Sequence, residues 1–376
     1  MKVGIVGGGQ LAQMMIQAGI SLGLDFSLLC SSTDESAPPF CADTTKVEHF
    51  NASNLAEFAN RCDVITFDHE LIPPEVIEQI PNHGSKFFPS ASTLRSAANK
   101  FNSRIFLSKH GFAVPRFELA SNSSQLHQAI QKIGYPCVIK TSHGGYDGRG
   151  VFMLNSAHDL SSFLAKSPRD TDLVVEPMLE ISMEFAVLVV RNRAKDYVVY
   201  PIVKTLQQDS ICVEVSVPSG LAPKIEKQAK AIAIRIADLV DSVGVLAIEM
   251  FVVNDQILIN ELAPRPHNSG HLTIEACVTS QFENHLRAIT SLPLGSCELR
   301  TAGAAMVNVI GGTQPQHFDV ATAKVLADQN IKIHLYGKTY RAGRKLGHVT
   351  ALDTSPGLAL ERARYAADIL LNVASS

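Results

Sequence analysis

Residues 245–261 read VLAIEMFVVNDQILINE, two apolar runs on either side of Asn254-Asp255, each carrying a carboxylate. Asn-Asp between such runs predicts a tight β-hairpin. A two-residue loop would set Glu249 opposite Asn260, and a three-residue loop would set it opposite Glu261. In either register two acids lie on neighbouring strands within apolar surroundings. Facing like charges destabilise a sheet, and a half-buried carboxylate is costly without a partner. A divalent cation would meet that need, since Mg²⁺ is commonly held by one or two carboxylates together with substrate phosphates. A basic side chain such as Arg265 would meet it equally well.

Four further segments offer reactive or binding groups. In KTSHGGYDGRG, residues 140–150, a lysine ends an apolar strand and four glycines follow. Glycine lets backbone N–H groups approach phosphate oxygens closely, and successive N–H groups form anion-binding concavities. No Gly-Lys-Ser/Thr closes the loop, so it is not a Walker loop. In NELAPRPHNSGH, residues 260–271, two prolines stiffen a turn presenting Arg265, His267, Asn268, Ser269 and His271. Those prolines exclude the helix that would align the two histidines on zinc. Glu176-Pro177-Met178-Leu179 ends a strand with a carboxylate, then offers backbone and apolar groups able to take an adenine and a ribose. The opening GIVGGGQLAQ has the Gly-x-Gly-x-x-Ala spacing that seats dinucleotide pyrophosphates. A reader of NAD also needs an acid ending the second strand, where this chain continues from Cys30 with Ser31, Ser32 and Thr33.

The elements that must position these residues fall into distinct stretches. Strands at 3–6, 26–30, 63–67 and 86–88 alternate with helices at 10–22 and 75–80, which predicts a parallel, helix-covered sheet. Residues 92–110 read as helix. A small α+β unit follows, with strands at 135–140, 151–154 and 172–176 and a helix at 157–165. Strands at 183–190 and 197–203 are expected to pair. Residues 223–243 form an amphipathic helix with Pro223 in its first turn and Gly244 as its stop. A helix at 280–289 and a C-terminal module of short strands ending in a helix complete the chain.

At 376 residues the chain exceeds the size at which one core stops growing, so two or three domains are expected. A formal net charge of −3 provides no basic field for nucleic acid. No apolar stretch approaches the roughly 20 residues that span a bilayer. Seven scattered cysteines without a C-x-x-C pattern suit free thiols in a reducing cytoplasm.

The chain resembles the ATP-grasp superfamily and, within it, the carboxyaminoimidazole ribonucleotide synthetases of purine biosynthesis. GGYDGRG at 144–150 and NELAPRPHNSGH at 260–271 carry the resemblance most specifically. GGGQLAQMM, SQFENHLRAITSLPLG, MVNVIGG and YGKTYRAGRKLGH extend it over nearly the whole chain. It implies an ATP-grasp fold behind a Rossmann-like first domain (1–98), with a lid subdomain (99–182), a large subdomain (183–300) and a small β-rich C-terminal module (301–376). The implied reaction uses ATP, Mg²⁺ and bicarbonate to carboxylate 5-aminoimidazole ribonucleotide in a cytoplasmic homodimer. Lys100 and Lys140 would contact phosphates, and Gly144, Gly145, Tyr146, Asp147, Gly148, Arg149 and Gly150 would fold over them. Glu176, Pro177, Met178 and Leu179 would hold the adenine, Glu184 the ribose, and Glu249 and Glu261 the Mg²⁺ with Asn260 nearby. Tyr146, Asp147 and His267 would handle protons at the bicarbonate and amine. Gln10, Glu70, Arg265, His267 and Asn268 would line the ribonucleotide, and Lys338, Arg341, Arg344 and Lys345 would anchor its phosphate. Composition favours that anchor, because four cations within eight residues repel one another unless a dianion joins them.

Three departures from the family pattern stand out. Leu71 replaces a polar residue in TFDHELIP, where Asp68 and Glu70 keep their carboxylates. Lys204-Thr-Leu-Gln207 replaces E-N-x-H and puts Gln207 where a histidine meets the nucleotide, and Ala342 replaces a proline. Competing readings are another ATP-grasp ligase such as a formate-dependent glycinamide ribonucleotide transformylase, a non-catalytic nucleotide-binding homologue, and a dehydrogenase.

Overall fold

The computed structural model describes residues 1–81, 84–97, 99–142, 150–166, 172–312 and 318–372. Its first part is a parallel sheet in which Lys2–Val6 lies between Asp25–Ser31 and Val64–Phe67, with Thr44–Val47 beyond Asp25–Ser31. The strands are apolar on both faces because helices cover both. Gln10–Ile20 packs on Val3, Ile5 and Leu28, while Ala52–Asn60 packs on Val6, Leu29 and Ile65. The expected closing strand at 86–88 reduces to one parallel bridge between Ile65 and Phe87, squeezed between a 3₁₀ turn and Pro89.

The helical stretch at 92–110 is two helices, Ala91–Ala97 and Lys100–Lys109. Asn99 separates them. Its side chain accepts the Asn102 N–H at 2.8 Å and so caps a new helix. The next unit is an antiparallel sheet ordered Glu118–Ala120, Leu173–Pro177, Cys137–Thr141, Val151–Leu154, with Ser123–Ile133 and Ala157–Lys166 on one face.

The remaining strands join one nine-stranded sheet. Its order is Gln256–Ala263, Gly244–Val253, Met183–Arg191, Val203–Gln208, Ile211–Val217, Gly303–Ile310, Lys345–Asp353 and Ile331–Leu335, with Tyr197–Val199 also on Met183–Arg191. The C-terminal strands therefore continue the large sheet through the pairing of Glu214 with Val307. Pro223–Leu239 covers one face with Ala229, Ala233 and Ile236, and Pro356–Asn372 covers the C-terminal strands. The first of these helices ends before the expected stop. Asp241 turns left-handed (φ 47°), Arg191 Nη1 donates to Asp241 Oδ1 and the Ser242 carbonyl, and Gly244 opens the next strand instead. Gln281–Ile289 lies between parts, sending Phe282, Leu286 and Ile289 toward the first domain and Ala288 toward the large sheet. All seven cysteines are buried free thiols, and no helix among the described residues is long and apolar enough to cross a membrane.

Candidate active site

Asn254 and Asp255 both adopt left-handed φ (49° and 60°), so a two-residue turn pairs Val253 with Gln256. The ladder then runs regularly to Met250 opposite Ile259. At the next step Glu249 faces Glu261, and Asn260 is the extra residue of a β-bulge. The molecule thus combines the short loop with the register that the sequence tied to the long one. The reason lies in the core. Ile259 and Leu262, three residues apart, pack in the same cluster as Ile248 and Met250. Only an extra residue between them permits this in a period-2 strand. Asn260 and Glu261 then emerge together on the opposite face beside Glu249, and Asn260 Nδ2 donates to Glu249 Oε2 at 3.3 Å.

Cations from other elements close on this trio. Lys100, at the start of its helix, donates to Glu261 Oε1 at 3.0 Å. Lys140, ending its strand, donates to Asn260 Oδ1 at 3.0 Å and meets Glu176 Oε2 at 2.8 Å. Arg104, one helical turn after Lys100, is 3 % exposed; its Nε donates to Glu176 Oε1 at 2.6 Å. Its Nη1 donates to the carbonyls of Ile259 (3.2 Å) and Asn260 (2.5 Å), the backbone of the bulge itself.

Charge balance follows from these contacts. Burial alone would raise Glu176, but Lys140 and Arg104 outweigh it and bring the carboxyl down to about 2. Glu249 goes the other way. Burial, then the charges of Glu261 and Glu184, push it up to about 7 against the pull of Lys100 and Lys345. Burial also raises Glu184, which lies on the neighbouring strand two residues from the partner of Glu249. Arg265 does not join the acid pair; it forms a two-pronged pair with Glu70, through Nε to Oε2 and through Nη2 to Oε1 at 3.1 Å. Burial would raise Glu70, and Arg265 overrides it, bringing it down to about 2. Glu249, Glu261 and Glu184 therefore form a carboxylate group that wants positive charge. Among the described residues no group of three or more His, Cys, Asp or Glu could hold a metal by itself, so a divalent ion here would rest on the facing pair Glu249 and Glu261 and share its other ligands with phosphates.

His267 reaches the same place. Its Nε2 is 3.7 Å from Glu249 Oε1, and Nδ1 is 2.8 Å from Ser269 Oγ. Gln281 grips its backbone on both sides, accepting the His267 N–H at 2.9 Å and donating to its carbonyl at 2.7 Å. Asn268 exchanges reciprocal hydrogen bonds with Asn308. Pro177, Met178 and Leu179 are half-buried where their strand leaves the second sheet, and Gln207 is half-buried opposite a bulge whose extra residue, Val213, lies in the partner strand. Gly144, Gly145, Tyr146, Asp147, Gly148 and Arg149 lie outside the described residues; Gly150 has φ 77°, and its carbonyl accepts the Thr141 N–H at 2.8 Å.

The basic C-terminal segment meets the first domain. Lys338 Nζ donates to Gln10 Oε1 at 2.6 Å, Arg344 Nη1 is 2.8 Å from Glu35 Oε2, Arg341 is exposed and Lys345 is buried. The opening glycine turn, by contrast, is already filled. Gly9 N–H donates to Asp68 Oδ2 at 2.5 Å and Gly8 N–H to Asp34 Oδ2 at 3.2 Å. Two carboxylates thus occupy the donors that a pyrophosphate would need, which removes the dehydrogenase reading. Arg104, Asp34 and Gln281 were not singled out in the sequence. Arg104 did leave a signal, a second cation four residues after Lys100 on one helix face.

Comparison with known proteins bears on the fold and the family. Residues 1–98 match the ribonucleotide synthetase preATP-grasp domain, 105–282 the ATP-grasp domain, and 304–362 the phosphoribosylaminoimidazole carboxylase C-terminal domain. The N5-carboxyaminoimidazole ribonucleotide synthase of Synechococcus elongatus is 36% identical over 99% of this chain and 94% of its own. The carboxyaminoimidazole ribonucleotide synthase of Aspergillus clavatus, solved with ATP, superposes with a TM-score of 0.90 at 33% identity, covering 98% of each chain. The same fungal enzyme in complex with ADP and 5-aminoimidazole ribonucleotide gives a TM-score of 0.87 at 32% identity, again over 98% of each chain. Fold and kinship converge: the chain belongs to the N5-carboxyaminoimidazole ribonucleotide synthetases, ATP-grasp ligases of purine biosynthesis.

Proposed function

We propose that this chain carboxylates 5-aminoimidazole ribonucleotide on its exocyclic amine, consuming ATP and bicarbonate, with Mg²⁺ held by Glu249 and Glu261. The observation that carries the reading is the bulge, which sets two acids face to face, with Lys100 on Glu261 and Lys140 on Asn260. The bound ion would neutralise phosphate oxygens. Lys100 and Lys140 supply further positive charge where negative charge develops as a bicarbonate oxygen displaces ADP from the γ-phosphorus. The carboxyphosphate so formed must be kept from water, which is the task assigned to residues 144–150. It breaks down to carbon dioxide and phosphate; the amine then attacks the carbon dioxide and loses a proton. We assign the handling of that proton to His267, whose Nδ1 accepts the Ser269 N–H at 3.3 Å and lies 2.8 Å from Ser269 Oγ, with Tyr146 and Asp147 assisting from the loop.

Glu176–Leu179 and Gln207 are assigned to the base and Glu184 to the ribose of ATP. Gln10, Glu70, Arg265 and Asn268 are assigned to the ribonucleotide, and Lys338, Arg341, Arg344 and Lys345 to its phosphate. The domain limits given above, a homodimeric state and a cytoplasmic setting belong to the same proposal.

The test is ADP release with ATP, Mg²⁺ and bicarbonate, with and without the ribonucleotide. Strict dependence on the ribonucleotide is expected, and Glu261→Gln should lower turnover by about 10²-fold or more. Turnover on glycinamide ribonucleotide and formate instead would overturn the assignment.

A further inference from the structure

A carboxylate stands where an anion is expected to bind. Glu35, in the turn after the strand Asp25–Ser31, accepts three hydrogen bonds from the C-terminal loop between Ile331–Leu335 and Lys345–Asp353. Its Oε2 takes the Thr339 N–H at 2.9 Å and lies 2.8 Å from Arg344 Nη1, and its Oε1 takes the Thr339 hydroxyl at 2.8 Å. Arg344 Nη1 also donates to the Thr339 carbonyl at 2.9 Å, so the carboxylate, the loop backbone and the guanidinium form one closed knot.

An acid beside a phosphate-binding arginine would by itself weaken the site by competing for the guanidinium. Glu35 does more than meet the arginine. Two of its three bonds go to Thr339, one of them to backbone, so it fixes the path of the loop. The described contacts of Arg344 use Nη1 alone, which leaves the other edge of its fork for a ligand. We propose that Glu35 is a positioning residue that latches the C-terminal basic loop to the first domain before the ribonucleotide arrives, so that its phosphate meets an ordered site. Preorganisation of this kind lowers the ordering cost of binding without adding a contact to the ligand. The inference rests on the phosphate assignment made above.

Two measurements test it. In ligand-free protein, Glu35→Ala should raise amide exchange across residues 337–344 at least tenfold. In turnover, it should raise KM for the ribonucleotide about tenfold while KM for ATP and kcat change less than twofold. Glu35→Gln, which still accepts from Thr339 but cannot pair with charge, should recover most of both effects. Unchanged exchange overturns the latch, whether or not the enzyme uses the ribonucleotide. Faster exchange with an unchanged ribonucleotide KM overturns its role in binding, and a lower KM in Glu35→Gln would mean that Glu35 competes with the phosphate. Failure of the wild-type protein to use the ribonucleotide at all would strike the assigned substrate, and the exchange arm would still decide the latch.

Discussion

Arg104 shows how one side chain sets the geometry of residues it does not resemble. Its guanidinium joins the strand end at Glu176 to the carbonyls of Ile259 and Asn260, spanning the second sheet and the bulge. A lysine cannot reproduce this, because a single ammonium lacks the planar fork that meets several acceptors at fixed angles. Arg104→Lys should therefore keep the fold yet raise KM for ATP and the Mg²⁺ requirement about tenfold, read from ADP release. Arg104→Met goes further by leaving Glu176 buried with Lys140 as its remaining cationic partner among the described residues. Breaking a buried pair in this way costs about 3–5 kcal/mol, which chemical unfolding would register. Wild-type ATP kinetics in Arg104→Lys would relieve Arg104 of any role in placing the site.

Among the elements, the hairpin holds both the clearest and the least legible features of the sequence. Asn254-Asp255 announces its own turn, because both residues tolerate the left-handed backbone it needs. The bulge at Asn260 has no comparable local sign. It answers the demand that Ile259 and Leu262 reach one core, which only tertiary packing imposes. The helix after Pro223 fails for a similar reason: a buried Arg191 captures the turn at Asp241 and Ser242, so Gly244 is not its stop. The glycine spacing at residues 4–12 fits a dinucleotide loop, and the serines after Cys30 already speak against one; what the pattern cannot reveal is that Asp34 and Asp68, distant in sequence, fill the turn. Glu249, Glu261, Lys100 and Lys140 do come together, but only the two acids and Lys140 have a local sign in the sequence; Lys100 is implied by family resemblance alone. Deleting Asn260 offers a direct trial of the bulge. A regular ladder would still set Glu249 opposite Glu261 and preserve the core, but the amide held by Lys140 would vanish. Circular dichroism and unfolding should stay close to wild type while ADP release falls at least tenfold, a loss typical of one misplaced polar group. Retained activity would mean that the bulge serves packing alone.

Across the whole molecule, the first domain is tied to the large sheet at several buried polar points, and one of them titrates. His285 lies on the helix between the parts; its Nδ1 accepts the Val245 N–H at 3.1 Å, so Nε2 carries the proton toward Thr66 Oγ1 at 2.8 Å. A second proton would face the Val245 N–H, and burial brings the imidazole down to about 3. Burial holds His271 and His348 well below the ordinary histidine value as well. The sign follows directly. An unfolded histidine takes up its proton near 6.5, whereas folded His285 refuses it until about 3, so stability is full above pH 6.5 and drains as pH falls through that window. By pH 5 the loss from His285 alone is about 2 kcal/mol relative to pH 7.5. A separate loss begins below about 4.5, where the unfolded chain protonates carboxylates like Glu70 and Glu176 that stay ionised in the fold to about 2. His285→Gln keeps one acceptor and one donor for Val245 and Thr66 but cannot titrate. Its unfolding free energy, followed in urea between pH 7.5 and 5, should therefore fall by about 2 kcal/mol less than that of the wild type. Equal slopes for wild type and His285→Gln would show that acid loosens some other joint first.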